Sequence, residues 1–260
     1  MSDTLEFFDT HSHIHFPNYG LDADEVWQES QAKGVTRMLA VGCRLDDSQG
    51  AIDLAAKYDS IWAVIGIHPH EAADFLSKPT AKADFEKLIG AEKVVGIGEI
   101  GLDYYYEHSP REKQMELLEW QLELANKYDL PVVFHVRDAF DDFWPIFDKY
   151  KPANGLIHSF TANSKVLEQI LERGLYVALN GIMTFSKQNE QLDAAKAIPL
   201  DKLVLETDAP YLTPKPFRGK ICKPEHVIIT AEFLAELRQE PLEELARKTT
   251  QNARVLFNVK

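Results

Sequence analysis

Cysteine is nearly missing from this chain. Cys43 and Cys222 are the only two in 260 residues. They lie far apart in the sequence, and two free thiols in a cytoplasmic protein are expected. Long apolar runs are also missing. None approaches the roughly 18 residues needed to span a bilayer. The first residues, Met1-Ser2-Asp3-Thr4, carry no basic stretch ahead of an apolar one, so no secretory leader is expected. Basic residues are in deficit, 28 Lys and Arg against 41 Asp and Glu, for a formal net charge of −13. That balance argues against a broad electrostatic grip on duplex DNA and against binding to an anionic membrane. It does not exclude a phosphate substrate, because bound cations and a few local Arg or Lys residues reverse the potential of a single pocket. No Gly-x-Gly-x-x-Gly follows the first strand-like run, which removes the main sign of a dinucleotide-binding sheet. Linkers, low-complexity tracts and clear repeats are absent as well, so residues 1–260 are expected to form a single domain.

What is present is a regular alternation. The chain is 45% hydrophobic and 27% charged, enough apolar content for a large core. Short runs rich in Val, Ile and Leu read as strands buried on both faces: Phe7–Thr10, Arg37–Val41, Trp62–Ile67, Val94–Gly98, Val132–His135, Gly155–His158, Tyr176–Leu179 and Leu203–Thr207. Amphipathic stretches separate them. The clearest runs from Arg111 to Tyr128, with Met115, Leu118, Leu122 and Ala125 at helical spacing. Pro224 is placed to open a late helix through Leu237. Eight β-then-α units in about 250 residues match the size and order of a (β/α)8 TIM barrel. The competing architecture is an open, doubly wound sheet.

Polar residues recur at the C-terminal ends of these strands, which favours the closed arrangement with a metal site at the C-terminal mouth. The first strand leads into His11-Ser12-His13. Alternation with period two aims both imidazoles the same way. The fourth strand ends at Glu99, the fifth at His135 and the sixth at His158. The eighth gives Glu206 and Asp208, at i and i+2 on one expected face. Each alone has a plain structural reading as a capping or hydrogen-bonded residue. Together, four histidines and two or three carboxylates around one mouth are explained by a metal site. Mixed N and O donors suit Zn²⁺, Mn²⁺, Fe²⁺, Ni²⁺ or Mg²⁺, and the lack of a thiolate disfavours a structural zinc site. Six ligands exceed what one open catalytic ion takes and suffice for two.

The same segments resemble the TatD family of metal-dependent deoxyribonucleases, within the amidohydrolase-like barrels. They are Asp9-Thr10-His11-Ser12-His13, Gly66-Ile67-His68-Pro69-His70, Gly98-Glu99-Ile100-Gly101-Leu102-Asp103-Tyr104, Pro131 to Arg137, His158-Ser159-Phe160-Thr161 and Glu206-Thr207-Asp208-Ala209-Pro210-Tyr211-Leu212. The resemblance runs over essentially the whole chain, in order and spacing. It implies that His11, His13, Glu99 and Asp208 hold one metal ion and that Glu99 bridges to a second held by His135 and His158. It also implies phosphodiester hydrolysis in DNA as a Mg²⁺-assisted 3′-to-5′ exonuclease. Three departures leave those ligands intact: Ile221-Cys222-Lys223-Pro224 replaces a usual basic-Asn-Pro segment, Ala162-Asn163 replaces Gly and Ser, and His15 replaces an acidic residue.

The expected chemistry is hydrolysis by water activated between two divalent ions, with Mg²⁺ in function and Zn²⁺, Mn²⁺ or Ni²⁺ as substitutes. Asp208 is the expected general base, with Glu99 as bridging ligand; both count as catalytic. His68, Arg137, Arg218 and Lys220 are candidates to contact phosphate or leaving group. Glu206 is a candidate for substrate contact or for hydrogen bonding in the pocket floor. His70 reads as loop surface. Tyr104, Phe160, Tyr211 and Phe217 are candidate base-stacking residues at the rim. The acidic net charge fits a DNA end or a short oligonucleotide as substrate better than long duplex. No membrane association and no obligate protein partner is expected. Two rivals remain. An amide, lactone or small-phosphoester hydrolase could use the same barrel. Alternatively, the metals could only stabilise a non-catalytic barrel.

Overall fold

The structure is a computed structural model that describes residues 5–260. The expectation of no leader rests on Met1 to Thr4, which lie outside the described residues. Eight strands follow in chain order: β1 (Phe7–Ser12), β2 (Val35–Val41), β3 (Ile61–Ile65), β4 (Val94–Asp103), β5 (Val132–Arg137), β6 (Gly155–Ile157), β7 (Tyr176–Leu179) and β8 (Leu203–Leu205). The α-helices among the described residues are α1 (Ala23–Ala32), α2 (Leu45–Lys57), α3 (Ala72–Ser77), α4 (Ala81–Leu88), α5 (Arg111–Tyr128), α6 (Phe140–Tyr150), α7 (Ser164–Glu172), α8 (Asn189–Ala197), α9 (Val227–Arg238) and α10 (Leu242–Phe257). All eight strand-like runs are strands, with ends shifted by a few residues.

The strands form one eight-stranded sheet in sequential order, β1 through β8. Strands β3 and β4, β4 and β5, β5 and β6, and β7 and β8 pair in parallel. The two ends of that order also meet, through a parallel bridge between Ser12 and Ala209 and a bond from Thr10 Oγ1 to the Leu205 carbonyl of 2.9 Å. A sequential parallel order whose first and last members are neighbours is a (β/α)8 barrel, and the open doubly wound sheet is excluded. Among the described residues, no helix is long and apolar enough to cross a membrane.

The chain divides into two compact units, one of residues 1–39 and 159–260 and the other of residues 40–158. In the first, Val177, Ala178, Leu179 and Leu203 to Leu205 are buried at the strands, and Leu245, Ala253 and Phe257 are buried along α10. Asn163, one of the departures from the family pattern, caps α7 by accepting the Val166 N–H at 3.1 Å. In the second unit, Phe134 of β5 packs edge-on to Phe143 and Phe147 of α6, at 5.0 and 5.7 Å between ring centroids. The predicted helix Arg111–Tyr128 is α5, and its buried side includes two polar residues, Gln114 and Gln121.

Candidate metal centre

In the first unit, His11 and His13 are both buried at the end of β1. Their position is set by backbone. His13 N–H donates to the Ala209 carbonyl at 2.7 Å, and Asp208 N–H donates to the His11 carbonyl at 2.8 Å. β8 stops at Leu205, and Asp208 sits in the left-handed region with φ 63°. Asp is among the non-glycine residues that tolerate this conformation. The expected shared face of Glu206 and Asp208 is therefore lost, since strand alternation no longer applies beyond Leu205. Asp208 turns to the histidines, with Oδ1 3.7 Å from His11 Nε2 and 3.3 Å from His13 Nε2. The two Nε2 atoms are 3.1 Å apart. Donors about 2.1 Å from one cation at angles of 90–110° stand roughly 3.0–3.4 Å from each other, so these three atoms suit a divalent ion with little rearrangement.

Glu206 is completely buried. Its Oε1 accepts from Ser159 N–H at 2.8 Å and from Asn180 Nδ2 at 3.0 Å. It therefore ties Ser159, in the segment after β6, to Asn180. Asp9 was not singled out in the sequence, yet it organises this end of the unit. Its carboxyl accepts from Thr207 N–H at 2.8 Å and Thr207 Oγ1 at 2.6 Å. Burial, against those bonds, pushes the Asp9 carboxyl up to about 8.

In the second unit the ligand candidates are built on β4 and β5. Ile97 pairs with Val132 and Ile100 with Phe134, so β4 spends three steps where β5 spends two. Glu99 lies within that bulge, a device that re-aims a side chain. The glycines on either side allow it. A Cβ on Gly98 would come within 2.6 Å of Val133 Cβ, and one on Gly101 within 1.8 Å of the His135 carbonyl oxygen. Glu99 Oε1 then lies 2.7 Å from His135 Nδ1, 3.6 Å from His158 Nε2 and 3.8 Å from His68 Nε2. One ligand atom from each of His68, Glu99 and His135 falls within 4.8 Å of the others. This cluster likewise has the donor types and spacing for a divalent ion.

His135 is gripped from both sides. Its Nε2 is 3.1 Å from Asp103 Oδ2, and His70 Nε2 is 3.0 Å from the same oxygen. Asp103 Oδ1 accepts from the Tyr105 and Tyr106 N–H groups at 3.0 and 2.9 Å. Burial opposes its charge, but the hydrogen bonds from His135 and His70 outweigh it and hold the Asp103 carboxyl well below the usual range. Burial likewise opposes a charged His135, yet the bonds to Asp103 and Glu99 push it up to about 9. Asp103 thus orients His135 in the manner of a carboxylate behind a ligating imidazole. His68 differs. Its Nδ1 accepts the His70 N–H at 3.2 Å, and burial beside His135 holds it well below the ordinary histidine value. With no metal on it, a neutral His68 whose Nδ1 accepts from His70 carries its proton on Nε2 and acts as a donor rather than a ligand.

The remaining sequence candidates are spread out. Arg137 is exposed, one turn of alternation beyond His135 on β5. Arg218 and Lys220 are exposed, with Arg218 over the Phe185 ring at 4.2 Å. Tyr211 is 50% exposed and edges His13, whereas Phe160 is 3% exposed and belongs to the core, not the rim. His70 is half-buried rather than loop surface, because Asp103 and Ser109 hold it.

A model of the family described as TatD related DNase matches residues 8–258. The chain belongs to that family. This TatD chain is 37% identical over 254 residues to the metal-dependent hydrolase YabD of Bacillus subtilis (strain 168), covering 97% of this chain and 99% of the relative. It is 34% identical over 272 residues to the deoxyribonuclease Tat-D of Schizosaccharomyces pombe, with 89% and 86% covered. Among solved structures, the TatD homologue YjjV of Escherichia coli K12 aligns at TM-score 0.90 and 30% identity over 98% of both chains. A TatD-family hydrolase of Entamoeba histolytica aligns at TM-score 0.90 and 25% identity, over 98% of this chain and 99% of that one.

Asp9, Asp103 and the two buried glutamines of α5 are the TatD-chain residues that sequence reading passed over. Gln114 Oε1 accepts the Asp103 N–H at 2.8 Å, and Gln121 Oε1 accepts the Ile67 N–H, just before His68, at 2.8 Å. Their one signal was two glutamines at i and i+7 on an otherwise apolar helix face.

Proposed function

We propose that this TatD-family chain is a metal-dependent hydrolase of DNA phosphodiester bonds, acting as a 3′-to-5′ exonuclease on a strand end. The family assignment and the donor chemistry support this reading. The observation that carries it is the His11–His13–Asp208 cluster, whose ligand atoms already stand at 3.1, 3.3 and 3.7 Å. We infer from family resemblance that these residues, with Glu99, His135 and His158, would hold two divalent ions, Mg²⁺ in function. When bound, the ions supply an activated water and neutralise charge developing on the phosphate. Asp208 takes the water's proton, since its side chain is 14% exposed while His11 and His13 beside it are 0% and 3% exposed. Asp103 keeps His135 in one orientation, and His68 offers its Nε2–H to a phosphate oxygen or the departing hydroxyl. Arg137, Arg218 and Lys220 are the cations available to further phosphates.

The second reading, an amide, lactone or small-phosphoester hydrolase, is favoured by one observation, the net charge of −13. A metal-by-substrate matrix decides between them. Chelator-treated protein is reloaded with Mg²⁺, Mn²⁺, Zn²⁺ or Ni²⁺ and offered single-stranded DNA, RNA, bis(p-nitrophenyl) phosphate and a lactone panel. The expected result is stepwise mononucleotide release from the 3′ end of DNA. Lactone turnover with every DNA arm blank overturns the nuclease reading.

A further inference from the structure

Beyond the metal ligands, the second unit carries an aromatic step that the hydrolytic chemistry does not use. The turn that follows β4 presents Tyr105 and Tyr106, 59% and 51% exposed, among the few large hydrophobic side chains so open to solvent. Both are held rigidly from behind. Their N–H groups are tied to Asp103 Oδ1, the carboxylate that orients His135. The Arg137 guanidinium lies over Tyr105 at 4.0 Å and near Tyr106 at 4.9 Å. The two rings meet edge to face at 4.8 Å, and Tyr106 stacks on His108 at 5.6 Å with the planes 5° apart. A tyrosine covered on one face by a guanidinium and still more than half exposed offers its other face to solvent.

The step stands close to the ligand set. His135 and Arg137 are two residues apart on β5, so they share a strand face roughly 6.6 Å apart along the chain. His70 contacts the same carboxylate as His135 and edges Tyr106 at 5.7 Å. Two nearby carboxylates are engaged elsewhere: Glu107 pairs with Arg111, and Asp142 accepts from the Tyr104 hydroxyl at 2.9 Å. Among the described residues no carboxylate pairs with Arg137, which leaves its N–H groups free to turn to an incoming phosphate.

We propose that Tyr105 and Tyr106, backed by Arg137, form a nucleobase subsite that seats a nucleotide of single-stranded DNA next to the scissile phosphate. The base stacks on the open face of Tyr105 with its edge toward Tyr106, and Arg137 takes one adjoining phosphate. The proposal rests on the nuclease reading and names what the site selects: a base-bearing strand over a small phosphoester. It also accounts for how an acidic protein holds DNA. Stacking needs no basic surface and accepts every base, because each has a π-face.

The test uses a short fluorescein-labelled single-stranded DNA with phosphorothioate linkages that resist cleavage, and reads the Kd by anisotropy. Tyr105→Ala/Tyr106→Ala is expected to weaken binding by about tenfold or more, and Tyr105→Phe/Tyr106→Phe to stay within about twofold of wild type. Wild-type affinity should fall with log salt at a slope of about −1, the value for one or two phosphate contacts to a single strand, and Arg137→Ala should flatten it. Tyr105→Ser alone, at a solvent-exposed position, serves if the double variant loses its circular dichroism. An unchanged Kd in the folded alanine or serine variant, in a protein that cuts DNA, overturns the subsite alone. A wild type that hydrolyses bis(p-nitrophenyl) phosphate yet neither binds nor cuts the oligonucleotide overturns the nuclease reading and the subsite together.

Discussion

The unit that carries β1 and β8 holds its candidate ligands by backbone. His11, His13 and Asp208 are set by main-chain hydrogen bonds between the end of β1 and the segment after β8, with Asp9 and Thr207 locking that junction. The unit of residues 40–158 holds its candidate ligands by side chains. There Glu99 is aimed by a bulge between two glycines, and His135 is clamped between Glu99 and Asp103. The same ligand chemistry thus rests on two kinds of support. Backbone support tolerates side-chain change at its periphery, because main-chain bonds persist whatever the residue. Side-chain support concentrates its dependence on a few positions, since each partner is a single functional group.

Four substitutions probe that contrast, in decreasing order of effect. Asp208→Asn removes the proposed base while leaving the main-chain bonds in place. It should lower hydrolysis by about 10²–10⁴-fold with an unchanged melting temperature; wild-type turnover would remove Asp208 from the mechanism. Gly101→Ala drives a methyl group into the His135 carbonyl, 1.8 Å from the ideal Cβ position. A loss of about 3 kcal/mol in urea unfolding is expected, because backbone gives way less easily than side chain. Asp103→Asn keeps the shape but weakens the hold on His135. Apo-protein titrated with Mn²⁺ in a calorimeter should show about 10–100-fold weaker binding at one site, the range seen when such supporting carboxylates are changed. Equal weakening at all sites would mean that the contrast between the two units is wrong. Asp9→Ala strands the Thr207 N–H and hydroxyl at a buried junction and should cost about 1–2 kcal/mol by thermal melts, with metal affinity close to wild type.

Much of the candidate site was readable in the chain because its signals are local. A strand declares itself by a short apolar run, and polar residues that follow the run lie near its C-terminal end. His11, Glu99, His135 and His158 were singled out as candidates in that way, although β4 and β5 run on beyond Glu99 and His135. Where a strand stops is less local. β8 ends at Leu205, not Thr207, because Thr207 turns its backbone to Asp9, a residue nearly two hundred positions away. That shift separates Glu206 from Asp208 and sends Glu206 to Ser159 and Asn180. β4 runs on to Asp103 because β5 offers it continued pairing beyond the bulge, and no propensity in Gly101-Leu102-Asp103 announces this.

Residue order and type alone therefore specified eight βα units, the identity of the six ligand candidates and an acidic, disulfide-free chain. Those features depend on periodicity and composition, which are written along the backbone. The partners behind the ligands were a different matter. Asp103 behind His135, Asp9 behind Thr207, Gln114 and Gln121 against strand ends, and Arg137 over Tyr105 all join groups distant in sequence or hidden in ordinary-looking segments. A hydrogen bond or a ring contact is specified by a few tenths of an ångström and an angle, and only the packed chain brings the groups to that separation.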